Sequence, residues 1–227
     1  MRCGKQDAAA TPRTTTRRRA WRPFGSLRVA PVGAVVIMAA ALAGCGSSRS
    51  SHVGAPPSSR LEGLLLNPPE PAAPLVLHNY TGQLVSLATM RGKAVFVTFV
   101  YTHCPDVCPL IVSNLASAQR SLGAAARDVR VLAVTVDPRR DTPQAIRRFL
   151  AARNALGRMD YLLGSRPRLL ATWKAWHVEV TTNNRLFTTG HSAVVYGITA
   201  SGRMAVVYPS DFTPAQIIHD APLLASM

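Results

Sequence analysis

AVFVTFVYTHCPDVCP, residues 94–109, is the stretch that decides the fold of this chain. Its first seven residues are almost all apolar, which predicts a strand buried on both faces. The next nine hold two cysteines, Cys104 and Cys108, four residues apart. Apolar residues then recur at helical spacing through residues 107–122, so the sequence predicts a helix there. A buried strand would thus deliver two thiols to the first turn of a helix, where unpaired N–H groups and partial positive charge favour thiolate over thiol.

The residues around this stretch alternate between strand and helix signals. Residues 129–136 (VRVLAVTV) form a second apolar run, which predicts another buried strand. Thr142 suits an N-cap and Pro143 a first helical position, and this helix is expected to continue to about Leu156. The other predicted elements are an N-terminal hairpin (75–77 and 84–87), strands at 159–163, 178–182, 192–198 and 204–208, and helices at 166–176 and 214–224. Alternating strands and helices, followed by an antiparallel pair, predict an α/β fold with a mixed β-sheet flanked by helices.

Composition and charge narrow the class of protein. The chain has 227 residues, is 48% hydrophobic and carries a formal net charge of +15. Eight basic residues and one acid lie in residues 1–44, and without them the net charge is still +8. No zinc finger, helix-turn-helix or aromatic-interleaved basic strip accompanies this charge, so we expect no nucleic-acid binding. A basic surface suits an anionic membrane face or an acidic protein partner better.

The N-terminal part has the pattern of an export signal. A basic segment leads into the apolar residues 29–43, whose last two residues, Leu-Ala, are followed by Gly44 and Cys45. Fifteen residues are short for a membrane span, which needs about 20, so residues 1–44 are interpreted as a lipoprotein-type signal peptide with Cys45 as the lipidation site. The alternative is an uncleaved anchor helix with an incidental cysteine. Both interpretations predict a location outside the cytoplasm, on the outer face of the membrane.

Two further regions follow the signal. Residues 45–73 are rich in Ser, Gly and Pro, which predicts a flexible tether. Residues 74–227 are predicted to form the folded domain. Four cysteines are too few for a disulfide scaffold in a chain of this length, and only one pair falls in the domain.

The pair Cys104 and Cys108 has three interpretations. The thiols are structural and inert, or they form a redox disulfide, or they bind a metal. A pair next to proline in a loop at a helix start, at the carboxyl end of a core strand, is poorly placed for inert burial. One turn of helix brings positions i and i+4 within disulfide reach if it relaxes. Two thiolates on one face are also soft ligands suited to Cu(I), and a third ligand would improve such a site.

A histidine is the natural third ligand, and His191 is the best placed of the six. It follows a stretch expected to be flexible, Thr188–Gly190, and directly precedes a core strand. A histidine at such a junction can be aimed over a neighbouring helix start. The other five are interpreted as solvated, surface, core-edge or helix-terminal residues: His52, His78, His103, His177 and His219. Periodicity alone leaves the role of His191 open.

Three segments resemble the signatures of the Sco/SenC family: THCPDVCP (102–109), VTVDPRRDTP (134–143) and GHSAVVYGIT (190–199). The resemblance covers residues 75–224. It implies a thioredoxin-like fold and a membrane-tethered protein that delivers copper to the CuA centre of cytochrome c oxidase subunit II. It also implies that Cys104, Cys108 and His191 bind the copper.

Some residues depart from the family pattern or have supporting roles. The family usually has an acid before the histidine, where this chain has Gly190, and the usual tether is a transmembrane helix. Asp137 and Asp141 match the second signature, and we interpret them as caps that hold their loop against the site, the alternative being a direct role at copper. Asp106 is expected either to raise the cysteine pKa by like-charge repulsion or to accept N–H bonds at the helix start.

The sequence therefore predicts a copper chaperone, whose cysteines must be kept reduced by a thiol reductant because a disulfide cannot bind the metal. The rival is a thiol-disulfide reductase that acts on the cysteines of the acceptor, and enzymatic activity is accordingly left open. Replacing His191 with Ala separates the two. The chaperone loses tight Cu(I) binding, whereas the reductase keeps its dithiol activity.

Overall fold

The computed structural model describes residues 60–183 and 188–227, which all belong to the compact unit Val53–Met227. The predicted signal peptide, Cys45 and the predicted tether up to residue 59 lie outside the described residues. Among the residues that are described, no helix combines the length and the apolar character needed to cross a membrane.

Ten strands and four α-helices make up the described residues, together with two short 3-10 helices, Leu87–Met90 and Gly123–Asp128. The strands are β1 (Leu64–Pro71), β2 (Val76–Asn79), β3 (Leu84–Ser86), β4 (Ala94–Val100), β5 (Val129–Thr135), β6 (Asp160–Leu163), β7 (Val180–Thr182), β8 (Thr188–His191), β9 (Val194–Ile198) and β10 (Arg203–Pro209). The helices are α1 (Val107–Ser121), α2 (Pro143–Ala151), α3 (Arg166–Ala175) and α4 (Pro214–Ser226).

Eight of these strands form one mixed sheet in the order β1-β10-β9-β4-β5-β6-β2-β3. Strands β4, β5 and β6 run parallel, and the other neighbours in the sheet are antiparallel. All seven residues of β4 are buried, as expected for a central strand covered on both faces. The predicted α/β class, with its mixed sheet, flanking helices and N-terminal hairpin (β2–β3), is confirmed.

Helix α2 ends earlier than predicted. It stops at Ala151, whereas the pattern indicated about Leu156. Asn154 adopts a left-handed backbone with φ of 52°, and the N–H of Ala155 donates to the carbonyl of Leu150 at 2.9 Å. A short polar residue that tolerates the left-handed region therefore closes this helix. The predicted start is correct, since the Thr142 hydroxyl accepts the N–H of Ala145.

The predicted tether contains part of the fold. Strand β1 pairs antiparallel with β10, with Leu64 opposite Val207, so the sheet begins before the predicted boundary at residue 74. The pairing is irregular between Leu65 and Glu70, around the prolines of this strand. Proline is tolerated on an edge strand because its missing N–H faces away from the ladder. The prediction of a flexible tether is therefore wrong for residues 64–71, which form an edge strand of the sheet.

The stretch before His191 is also more regular than predicted. Thr188–His191 forms β8, which pairs antiparallel with β7 in a separate two-stranded sheet. Its residues, Thr-Thr-Gly-His, have no alternation of apolar and polar side chains, and this is why the sequence indicated a flexible segment.

Candidate metal centre

The cysteine pair lies where β4 gives way to α1, as predicted. The chain turns after the strand, and the N–H of Cys104 donates to the carbonyl of Tyr101 at 3.3 Å. Helix α1 begins at Val107, so Cys108 occupies its first turn and is fully buried, while Cys104 is half-buried. Both are free thiols. The N–H of Cys108 points at Cys104 Sγ, 3.5 Å away, so the first turn of the helix offers a donor to that sulfur.

The two thiols have opposite electrostatic environments. A hydrogen bond from the Cys108 thiol lowers the pKa of Cys104, outweighing the opposing effect of burial, and His191 and the backbone N–H groups of Asp106 and Cys108 add to it. The same hydrogen bond, followed by burial, raises the pKa of Cys108. Cys104 therefore loses its proton easily, and Cys108 holds its proton, as expected for strongly coupled groups.

His191 is brought to this pair from the other end of the domain. Its Nε2 atom lies 3.3 Å from Cys108 Sγ. Its Nδ1 atom lies 2.8 Å from the carbonyl oxygen of Ser192. Because a carbonyl only accepts, Nδ1 donates to Ser192, and Nε2 is the nitrogen that faces the sulfur. A backbone acceptor on the distal nitrogen is the arrangement that fixes a histidine as a metal ligand.

The donor atoms stand close together but are not spread around a common point. Within residues 60–183 and 188–227, no group of three or more His, Cys, Asp or Glu side chains is arranged so that it could hold a metal ion as it stands. Ligands at bond lengths of about 2.0–2.3 Å are separated by roughly 3.5 Å or more. The hydrogen-bonded separation of Cys108 and His191 is only slightly shorter than this. A small outward movement of the ring would therefore open a place for an ion between sulfur and nitrogen.

Asp141 fastens the cysteine loop, residues 101–106 between β4 and α1, to the sheet. One carboxylate oxygen accepts the N–H and the hydroxyl of Thr102 at 2.9 and 2.7 Å. The other accepts the hydroxyls of Thr135 and Tyr161 at 2.6 and 2.7 Å. Burial raises the pKa of Asp141, and these hydrogen bonds oppose that effect. These contacts agree with the interpretation of Asp141 as a residue that holds the loop, since Thr102 lies two positions before Cys104.

Asp137 lies in the loop after β5, and Asp106 lies directly before α1. The buried carboxylate of Asp137 forms an ion pair with Nε of Arg140, and its backbone carbonyl accepts the N–H of Asp141 at 3.0 Å. Asp106 is exposed, and within the described residues its side chain makes no hydrogen bond that caps α1. Its backbone N–H instead donates to Cys104. The expectation that the Asp106 carboxylate accepts helix N–H groups is therefore wrong.

Sequence reasoning missed Tyr101 as a member of the site. Its ring stands edge-on to the imidazole of His191, with 5.7 Å between ring centroids, and the Arg140 guanidinium carbon lies 5.8 Å from its centre. Burial, followed by the negative charge of the cysteines, raises the pKa of Tyr101 to about 12. The Tyr101 ring is therefore uncharged and forms one side of the site. In the sequence, only its position directly after the buried strand could have indicated this role.

Known proteins resemble this chain in sequence. The sequence model described as SCO1/SenC matches residues 67–225. The SCO1 protein homolog of Bacillus subtilis is 32% identical over 78 residues, which are 34% of this chain and 40% of that protein, so the match spans less than half of the relative.

Two solved structures show the same fold. ScoI of Bradyrhizobium japonicum with copper bound has a TM-score of 0.60 at 26% identity and covers 67% of this chain and 98% of that one. A thiol:disulfide interchange protein of the thioredoxin family from Chlorobium tepidum has a TM-score of 0.52 at 18% identity, covering 69% and 97%. This second likeness concerns the fold alone, and it confirms the predicted thioredoxin-like architecture.

Proposed function

Because the chain belongs to the SCO1/SenC family, we propose that it is a copper chaperone that binds Cu(I) through Cys104, Cys108 and His191. Copper is its cargo. Two sulfurs and one imidazole form a soft donor set that suits Cu(I) better than hard cations such as magnesium or calcium. The copper-bound ScoI of B. japonicum, with the same fold at 26% identity, supports this assignment.

One observation carries the proposal. His191 and Cys108 are 83 positions apart in the sequence, and Nε2 meets Sγ at 3.3 Å while Nδ1 is held by the Ser192 carbonyl. A histidine whose distal nitrogen is fixed by a backbone acceptor, and whose other nitrogen meets a cysteine sulfur, has the arrangement of a metal ligand.

The chain's own groups prepare the site for the metal. Cys104 is half-exposed, and its lowered pKa keeps it a thiolate, which suits it to meet an incoming ion first. Cys108 then loses its proton as the metal binds, and the Nε2 lone pair of His191 completes the set. Release to an acceptor proceeds by stepwise exchange of these ligands for the acceptor's own. The pair must enter this cycle as a dithiol, because a disulfide offers no thiolate.

The proposed acceptor is the CuA centre of cytochrome c oxidase subunit II, with a separate thiol reductant that keeps the cysteines reduced. We also propose that residues 1–44 are a signal peptide and that Cys45 is lipidated, which would tether the domain to the extracytoplasmic face of the membrane. The short apolar segment that ends in Leu-Ala-Gly-Cys supports this location.

A thiol-disulfide reductase is the second candidate. The asymmetry of the pair favours it, since an accessible low-pKa Cys104 is suited to attack a disulfide and a buried Cys108 is suited to resolve the mixed disulfide. The two electrons would come from the dithiol, which ends as the Cys104–Cys108 disulfide and would need an external thiol reductant to return. This chemistry does not require His191.

Copper stoichiometry of the reduced protein tests the assignment. Wild type, Cys104→Ser, His191→Ala and His103→Ala would be titrated with Cu(I) in competition with a chelator. His103 is the matched control, because it is an exposed histidine next to Cys104. We expect one tight equivalent in wild type and His103→Ala, and loss of tight binding in the other two. Equal binding in all four proteins would overturn the copper assignment, and preserved disulfide reduction in His191→Ala would favour the reductase.

A further inference from the structure

The strand that carries His191 is not part of the main sheet. Strand β8 pairs only with β7 among the described strands, in a two-stranded sheet of its own. The ladder bonds of the eight-stranded sheet begin only at Val194, three residues after His191. The contacts between β8 and the rest of the domain therefore hold the other side of this residue.

One of those contacts comes from the loop after β5. Two nitrogens of the Arg140 guanidinium contact different parts of the chain. Nε pairs with the carboxylate of Asp137, and Nη2 donates to the backbone carbonyl of Thr188 at 2.8 Å. Asp137 is buried and is held in turn by the Thr135 hydroxyl, which accepts its N–H at 3.0 Å. The arginine therefore connects the end of a central strand to the first residue of β8.

A second contact reinforces the same connection. The hydroxyl of Thr188 donates to the carbonyl of Val136, the residue after β5. Thr188 is thus tied to the β5 loop through both its carbonyl and its side chain, and it is buried although it is polar. His191 lies three residues further along β8, roughly 10 Å away at the rise of an extended chain.

We propose that Arg140 is a positioning residue for the metal site, which holds β8 against the β5 loop so that the imidazole of His191 stays beside Cys108. This inference rests on the proposed function and adds a residue that does not touch the metal. The fork of an arginine reaches an acid and a carbonyl from two separate nitrogens, whereas all three donors of a lysine lie on one nitrogen and do not span the same two acceptors as well. We call this bridge from Arg140 to Asp137 and Thr188 the clamp. Its guanidinium contacts the ring of Tyr101, which in turn stands against His191, so the clamp lies beside the proposed ligand.

The test compares Arg140→Lys with Arg139→Lys in the full-length reduced protein. The lysine at 140 keeps a positive charge beside buried Asp137, so it avoids the unfolding that a neutral residue risks there. Arg139 is the exposed neighbour on the same loop and serves as the matched control. We expect Arg140→Lys to weaken Cu(I) binding about tenfold, the usual scale for a residue that orients a ligand, and Arg139→Lys to leave it unchanged. In a His191→Ala background Arg140→Lys should change the affinity by less than about twofold, which a merely destabilising substitution would not reproduce.

Hydrogen exchange of the amides of Thr188–His191 gives a readout that needs no metal. Faster exchange in Arg140→Lys, with wild-type exchange in Arg139→Lys, supports the clamp even if wild type proves not to bind copper, in which case only the chaperone assignment fails. Unchanged exchange and unchanged affinity in Arg140→Lys, with wild type binding copper, would overturn the clamp and leave the chaperone assignment standing. An equal loss of affinity in the His191→Ala background would also overturn it.

Discussion

The imidazole of His191 and the thiol of Cys108 meet at 3.3 Å, although they are 83 positions apart in the sequence. Nδ1 of the ring donates to the Ser192 carbonyl, so Nε2 is the nitrogen that faces the sulfur. The hydrogen bond to Cys104, followed by burial, raises the pKa of Cys108, so this thiol keeps its proton. The pair thus rests as a thiolate at Cys104 and a thiol at Cys108, and several measurable properties follow from that state.

Removing the Cys108 thiol should raise the pKa of Cys104. The hydrogen bond from Cys108 is the largest contribution to the lowered pKa of Cys104, and a methyl group cannot donate. We expect the pH profile for alkylation of Cys104 by iodoacetamide to move to higher pH in Cys108→Ala. The measurement is the alkylation rate of the Cys104 peptide, followed by mass spectrometry across the pH range.

Cys108→Ser is the control for this experiment, because its hydroxyl still offers a donor to the Cys104 sulfur. Its profile should lie between those of wild type and Cys108→Ala. Superimposable profiles for all three proteins would show that the sulfur–sulfur hydrogen bond does not set the reactivity of Cys104.

Copper affinity should rise with pH. At neutral pH Cys104 is already a thiolate, whereas the raised pKa of Cys108 means that its proton must leave when the metal binds. Mass action then favours binding as protons become scarce, with about one proton released per Cu(I) and a tenfold gain in affinity per pH unit. Chelator competition between pH 6 and 8, corrected for protonation of the chelator, measures this slope. A slope near zero would mean that both sulfurs are ionised before copper arrives.

The sequence was most informative where the structure depends on local pattern. Strand β4 and helix α1 follow from an unbroken apolar run and from helical spacing, and the two cysteines lie at their junction for the same reason. The third member of the site was not predictable in this way. His191 reaches Cys108 through the β7–β8 pairing and the contacts of Thr188, which join segments distant in sequence and leave no periodic pattern. Its position between an expected flexible stretch and a core strand made His191 the best placed of six histidines, and the resemblance to a family added the role of a ligand.

Asp141→Asn should destabilise the fold. Both carboxylate oxygens of Asp141 accept two hydrogen bonds each, and an asparagine would turn an amide donor toward two of those four donors. Leaving buried donors without an acceptor costs about 1–3 kcal/mol each, so we expect a loss of about 3 kcal/mol in the free energy of unfolding. Urea denaturation of the apo protein measures it.

Asp106→Asn is the matched variant, because Asp106 is an exposed acid of the loop that Asp141 fastens. Its free energy of unfolding should stay within about 0.5 kcal/mol of wild type. If Asp141→Asn were as stable as Asp106→Asn, Asp141 would not be the residue that fastens the cysteine loop.

Asp220 should control the attachment of β1, the strand whose sequence looks like a linker. This fully buried acid on α4 accepts the N–H of Glu62 at 2.9 and 3.0 Å and the hydroxyl of Tyr208 at 2.6 Å. Asp220→Ala leaves both donors without this acceptor and also removes the contact with His219 Nδ1 at 2.7 Å, and we expect it to cost about 3 kcal/mol of stability. Because Glu62 lies just before β1, amides of residues 60–71 should also exchange faster in this variant.

Tyr208→Phe removes only the hydroxyl, so it should cost about 1 kcal/mol and leave that exchange near the wild-type rate. Wild-type exchange in Asp220→Ala would mean that pairing with β10 alone holds β1 in place, and the carboxylate would then have no part in where the folded domain begins.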